Sequence, residues 1–260
     1  TQGSEATQET KATEVTEPAQ SSEEANQSGL VSALLLSPQA DLTTDYDLSW
    51  YQEDESSFTL ENEAQLRGLA ALVNGTAQSE GVTIEAVSFK NKTITLGVDI
   101  ALSDAWTPIG TAQYPFSGTF DGDGKTVSGL SIDSSEAYQG LFGALSSANV
   151  ADLTVSGSVE SSEVYVGGIA GYAVAARITD CTGEVAVTGG GLYVGGIAGY
   201  STGKITGCRN EGKVTSTCAE NSVYAGGIAG YSTGTIAESE NGAEVTAAGS
   251  NVGGIAGINH

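Results

Sequence analysis

The stretch "YVGGIAGYSTGKITGC", Tyr193–Cys208, nearly spells a phosphate-binding loop through Gly199, Gly203 and Lys204. Such a loop needs four residues between its first glycine and the Gly-Lys pair, then Ser or Thr. Here three residues separate Gly199 from Gly203, and Ile205 follows Lys204. The segment also has sister copies at 165–181 and 224–239. In these, Ala176 and Gly234 take the Gly203 place, and Arg177 and Thr235 take the Lys204 place. A phosphate site copied with its lysine lost would not bind phosphate, so Lys204 reads as a solvated turn residue.

The repetition extends through the last half of the chain. "YQGLFGAL", "YVGGIAGY", "YVGGIAGY", "YAGGIAGY" and "NVGGIAGI" share Gly140, Gly168, Gly196, Gly227 and Gly254, at intervals of 28, 28, 31 and 27 residues. Each copy carries a second element ("ARITDC", "GKITGC", "GTIAES") and a third ("GEVAVT", "GKVTST", "AEVTAA"). A period of this length, built from short β-type runs and turns, is the mark of a solenoid. A propeller blade needs about 40–50 residues, and a leucine-rich repeat needs its Leu lattice. The expected fold is therefore all-β: a right-handed parallel β-helix whose coils each hold three strand segments.

Stacking assigns roles within the repeat. Gly168, Gly171, Gly196, Gly199, Gly227, Gly230, Gly254 and Gly257 relieve crowding where the coil bends, while Ile169, Ile197, Ile228 and Ile255 form an inward ladder. Burying each such side chain is worth about 1.5–3 kcal/mol. Ile178, Ile205 and Ile236 give a second expected ladder, and Val185, Val214 and Val245 a third. Cys181 and Cys208 align with Ser239, as small packing residues do, and with Cys218 they make an odd set without a CxxC spacing. Tyr172, Tyr200 and Tyr231 align, as do Tyr165, Tyr193 and Tyr224. Either column is a structural aromatic ladder or, facing outward, a stacking surface for a glycan or host protein.

Ahead of the repeats, residues 1–28 are Thr, Ser, Glu, Gln and Ala without an aromatic, and read as a disordered acidic arm. "GLVSALLL", Gly29–Leu36, is the most apolar run and far too short to span a bilayer. Residues 29–57 read as an acidic linker or leading segment. Asp41, Asp45 and Asp47 lack the spacing of a calcium loop, so a solvated charge run is expected there. Residues 58–104 hold a cap helix and the first strands, and 105–260 the solenoid. In the helix, Asn62 and Gln65 supply a capping box, Leu66, Leu69, Ala70 and Val73 the apolar stripe, and Asn74-Gly75 the exit. The helix is expected to cover the open end of the first coil.

Composition excludes several classes. The chain has 32 acids against 9 Lys plus Arg, a formal net charge of -23, which opposes nucleic-acid and anionic-membrane partners. The single histidine is His260, so zinc-protease, Ser-His-Asp and Cys-His sites are not held here, and no cofactor is implied. Asp121 and Asp123 in "TFDGDGKT" are the remaining metal or acid–base candidates. Two Asp-Gly pairs also meet the needs of a tight turn, and that reading is the expected one. The chain starts at Thr1 without any methionine and its fifth copy ends at "NVGGIAGINH". An excerpt or processed chain continuing into further repeats or domains is expected.

The "GGIAGY" copies resemble the GLUG motif of bacterial surface proteins. The preceding "ENEAQLRGLAALVNG", "KTITLGVDIALSDAWTPIG", "PFSGTFDGDGKTVSGLSI" and "GLFGAL" resemble the order found upstream of such repeats, so the likeness covers roughly 48–260. It implies a non-enzymatic extracellular or wall-attached protein of Gram-positive type, stalk- or adhesin-like. Related repeats occur in immunoglobulin A-cleaving metalloproteases, outside the catalytic domain. A carbohydrate-active β-helix enzyme using acids near Asp121 is the competing expectation.

Overall fold

A computed structural model describes residues 45–218 and 223–260. The acidic arm 1–28 and the apolar stretch 29–36 lie outside the described residues. The rest is an all-β solenoid of parallel strands, about six turns long, with one short helix on its N-terminal side.

Four parallel sheets run along the solenoid. The first has seven strands, from Ser57–Leu60 through Thr93–Leu96, Thr119–Asp121, Asn149–Ala151, Arg177–Thr179 and Lys204–Thr206 to Thr235–Ala237. Its register stacks Phe58, Ile94, Phe120, Val150, Ile178, Ile205 and Ile236 in one column. The second sheet, of eight strands, includes Thr126–Ser134, Thr154–Ser161, Thr182–Gly189 and Val214–Ser216.

The repeated motif builds the other two sheets. It divides at Gly-Ile into short strands such as Tyr193–Gly195 and Ala198–Ser201, so three stretches of sequence per unit supply strands to four sheets. These two sheets meet backbone to backbone. A Cβ on Gly195 would lie 2.0 Å from the Ala198 carbonyl oxygen, and one on Gly199 2.7 Å from both Gly171 O and Val166 N. Close approach, not a left-handed backbone, therefore demands glycine here. Ile169, Ile197 and Ile228 sit between the strands, wholly buried, and are linked coil to coil by N–H···O bonds of 3.0 Å (Ile169 to Ile197, Ile197 to Ile228). Ile255 differs: on the last described coil it is 40 % exposed.

One ladder has a different register from that expected. Val187, not Val185, pairs with Val214 and through it with Val245. The visual match of "GEV" to "GKV" misleads, because Thr182 pairs with Arg209 and Gly183 with Asn210, fixing the strand four residues earlier. Val185 is still buried and lies opposite Gly212, whose Cβ would fall 1.9 Å from the Val185 carbonyl oxygen. In the next coils a buried amide ladder fills the matching space. Asn210 donates to Asn241 Oδ1 at 2.8 Å and to Gly212 O at 2.9 Å, and accepts from Gly212 N. Gly196 makes room: its Cβ would lie 2.4 Å from the Asn210 carboxamide carbon.

The core changes character along the axis. Its N-terminal end is aromatic: Trp50 stacks on Phe89, Phe89 on Phe116, and Phe116 packs on Phe142 at 5.7 Å. The segment 45–57 is thus not simply a solvated charge run. Glu53, Asp54 and Glu55 are exposed, but Tyr51 is buried and packs on Phe58 and Phe89, because two adjacent aromatics carry more apolar area than the acids around them can keep in water.

The helix α1, Glu63–Asn74, is set by its ends. Asn62 Oδ1 accepts from Gln65 N, and Gly75 exits at φ 69° with its N–H returned to Leu72 O. The Gln65 side chain reaches back one residue further than a standard capping box, accepting from Glu61 N at 2.7 Å. Leu66, Leu69, Leu72 and Val73 are fully buried against the first coils. Gly68 lets the 45–48 backbone cross the helix, since its Cβ would meet Asp47 O at 2.2 Å. Glu63 and Asn74 then pin α1 to the next coil, through Ser103 and through Pro108 and Gly110.

Candidate ligand-binding surface

The tyrosines of the repeat come together on one outer edge. Tyr138, Tyr165, Tyr193 and Tyr224 form one column, with ring centroids 5.0, 5.2 and 5.5 Å apart. Tyr172, Tyr200 and Tyr231 form a second, in register along their sheet, at 5.1 and 5.2 Å. The columns interlock. Each ring meets neighbours of the other column edge-on, for example Tyr165 with Tyr172 at 4.9 Å and 65°, and Tyr193 with Tyr200 at 5.6 Å and 74°. His260 closes the stripe, 5.8 Å from Tyr231.

All seven rings are half-buried. Parallel stacking at this spacing gives much of each ring face to its neighbours, so the stripe offers solvent mainly ring edges and phenol oxygens. Burial, then the surrounding phenols, push the Tyr165, Tyr193 and Tyr200 hydroxyls above the ordinary tyrosine range. Tyr138 and Tyr165 hold left-handed backbone, φ 65° and 68°, which is costly for an aromatic residue and is maintained by the stacked coil.

Tyr138 stands in the first row of its sheet, beside the bridge Gln139–Val166. Its column has no earlier rung. Instead it borders a groove of about 730 Å³, walled by Trp106, the 110–114 loop and residues 131–139. Tyr138 opens the copy "YQGLFGAL", so its alignment with the other tyrosines was readable in the sequence. Tyr114, also on the groove, lies outside the repeat and carried no such signal.

The acidic candidates sit elsewhere. Asp121 Oδ1 accepts from Asp123 N at 2.9 Å, Asp123 holds φ 48° before Gly124 at 72°, and Lys125 Nζ binds Asp123 O and Oδ2. These are the bonds of a tight turn. Among the described residues, no group of three or more His, Cys, Asp or Glu is placed to hold a metal ion. Cys181 and Cys208 are buried, adjacent in the stack, and Cys208 N donates to Ser239 Oγ at 3.2 Å. The bond to Cys208, with burial, pushes the Cys181 thiol well up. Among the described residues, no helix is long and apolar enough to cross a membrane.

The fold defines a class, the parallel β-solenoids. The family model of the GLUG motif matches residues 190–215, one coil of the stack. Among solved structures, the chain is similar to a crystal structure from Bacteroides ovatus, provisionally assigned as an immunoglobulin A1 protease. The TM-score is 0.61 at 22 % identity, over 78 % of this chain and 62 % of the other. That likeness shows the fold, and this chain spans less than two thirds of the other's length. No curated protein matches.

Proposed function

We propose that the chain is a non-enzymatic, extracellular or wall-attached β-solenoid module, stalk- or adhesin-like, that presents its tyrosine edge to a glycan or host-protein partner. The observation that carries this reading is the stripe of seven tyrosines running without a break across four coils. A structural ladder alone would be served as well by Val or Thr, which stack on sheets without phenol oxygens in water. The acidic surface supports it too, since a highly charged solenoid resists self-association. The GLUG match and the fold of the Bacteroides ovatus protein support an exported location.

The test has two arms. Antibody labelling of intact producing cells should find the chain outside. On glycan and host-protein arrays, the full chain should bind at least one ligand, and Tyr165→Ser with Tyr193→Ser should weaken binding at least tenfold. A chain confined to the cytoplasm, or binding indifferent to both substitutions, would overturn the reading. A second reading is favoured by the same structural neighbour: an accessory repeat region of a secreted immunoglobulin A-cleaving protease. It requires that the longer polypeptide carrying this chain cleaves immunoglobulin A and that deleting the solenoid leaves the cleavage chemistry intact.

A further inference from the structure

We propose that the groove at the head of the tyrosine stripe is a binding site for an uncharged saccharide, with Tyr138 and Tyr114 as its aromatic contacts. The proposal rests on the reading of the stripe as a partner-binding edge and locates where a sugar ring can stack on it.

The first argument is geometric. Along the stripe each internal rung has a ring on both sides: Tyr193, for instance, lies between Tyr165 and Tyr224, with both planes within 9° of its own. Tyr138 has a ring on one side of its column only, and the groove lies beside it. A pyranose stacks its C–H face on a free aromatic face, the same electrostatic match that draws cations and ring edges to a π-face. At this end the Tyr138 ring has no parallel ring beyond it and lines a concave site of ligand size.

The second argument is preorganisation. Tyr114 is 41 % exposed, yet it is held in place. Tyr114 N donates to Thr111 Oγ1 at 3.0 Å, Thr111 N donates to Tyr114 O at 3.0 Å, and Gln113 Nε2 donates to the Tyr114 phenol at 2.9 Å. The loop is fixed in turn by Asn74 of α1, which donates to Pro108 O at 2.9 Å and accepts from Gly110 N at 2.8 Å. An exposed aromatic on a braced loop loses little freedom when a ligand meets it, which favours binding.

The third argument is charge. The groove lining contains no Lys or Arg, and it carries Asp133 and Glu136. On a chain of net charge -23, that disfavours uronic acids, sialic acids and phosphates. Carboxylates and the Gln113 amide oxygen accept hydrogen bonds from sugar hydroxyls, which are donors in several directions. Asp133 and Glu136 are both exposed, where attraction to a basic peptide is weak and screened, so the aromatic pair and not the charges should dominate recognition.

The experiment is titration of the full chain with neutral oligosaccharides (gluco-, xylo-, manno- and N-acetylglucosamine series), with oligogalacturonate and with hexalysine. At least one neutral series should bind. Tyr114→Ala and Tyr138→Leu should each weaken it at least tenfold, Asp133→Asn with Glu136→Gln about threefold, and Tyr231→Leu at the far end less than twofold. Tyr114→Ala lies on an exposed side chain and keeps the test open should Tyr138→Leu unfold. The proposal falls if no neutral series binds, if Tyr114→Ala binds as the parent does, or if hexalysine binds best and is lost with the two acids. Loss in Tyr231→Leu alone would also sink it while leaving the stripe reading intact; silence from every ligand on the arrays and in titration would sink both.

Discussion

Tyr200 and Tyr231 lie one coil apart with ring centroids 5.2 Å from each other and planes 2° from parallel. The register that pairs them, Ala198 with Ala229 and Ser201 with Ser232, is that of the sheet beneath. Side-chain order on the outside therefore reports backbone order inside.

That link makes the phenols a probe of the fold. Tyr165, Tyr193 and Tyr200 have raised ionisation ranges in the folded chain. Their stabilising effect is complete below the ordinary tyrosine pKa of ~10 and is lost as pH rises through the higher folded value, because the unfolded chain releases those protons first. Urea midpoints should fall above pH ~10, and phenolate absorbance should show a late-titrating fraction. Tyr200→Phe should shrink that fraction and flatten the alkaline slope. A midpoint that is level across this range would contradict the expectation.

Gly196 and Gly254 occupy the same place in the motif but should respond oppositely to alanine. A Cβ on Gly196 meets the Gly227 carbonyl oxygen at 2.2 Å and Asn210 at 2.4 Å, whereas one on Gly254 meets nothing within 4 Å. Gly196→Ala should cost about 1–3 kcal/mol through forced backbone shifts. Gly254→Ala should stay within about 0.5 kcal/mol, as surface changes do. Equal denaturant midpoints for the two variants would show that crowding at this corner is not what selects glycine.

Asn210 is fully buried and bonds Gly212 and Asn241. Asn210→Ala takes the side-chain donor from Gly212 O and one of two donors from Asn241 Oδ1, while Gly212 N–H keeps Gly183 O and Asn241 Oδ1 keeps Ala243 N–H, so a loss of about 1–3 kcal/mol is expected. Hydrogen exchange should localise the loosening to residues 209–214 and 240–245. Exchange that speeds up evenly along the chain would argue against a local role.

Glu63 governs the acid limb at the helix end. Burial works to raise its carboxyl, but bonds from Ser103 N, Arg67 and Ser103 Oγ outweigh it and hold the group below the ordinary glutamate range. A lowered carboxyl stabilises the fold above its unfolded pKa, and this is lost as pH falls through the folded value. Glu63→Gln should therefore narrow the gap in melting temperature between neutral and acid solution. Parent and variant tracking each other in parallel down the acid range would refute the assignment.

The stack itself was legible because its physics repeats: Ile178, Ile205 and Ile236 recur at the same point of each unit, and the helix declared both its ends through Asn62 and Gly75. What escaped were relations between units of unequal length. Val185 and Val187 are equally plausible core residues two positions apart, and only the pairing of Gly183 with Asn210 chooses between them as partner for Val214. The Trp50–Tyr51 pair was masked by the acids around it. The groove was hidden for another reason: Tyr114 and Glu136 are brought together by the coil path, and no periodicity marks either.

The shift of the core from aromatic to small aliphatic side chains gives the molecule a firm end and a soft end. Where Trp50, Phe89, Phe116 and Phe142 interlock under α1, many large contacts must open at once. Toward Ile255 each coil adds only a thin layer of Ile, Ala and Gly. A one-dimensional stack with such a gradient should open first in its small-residue coils and re-form onto its aromatic ones. The braced helix, Tyr138 and the groove all sit in the part that comes apart last.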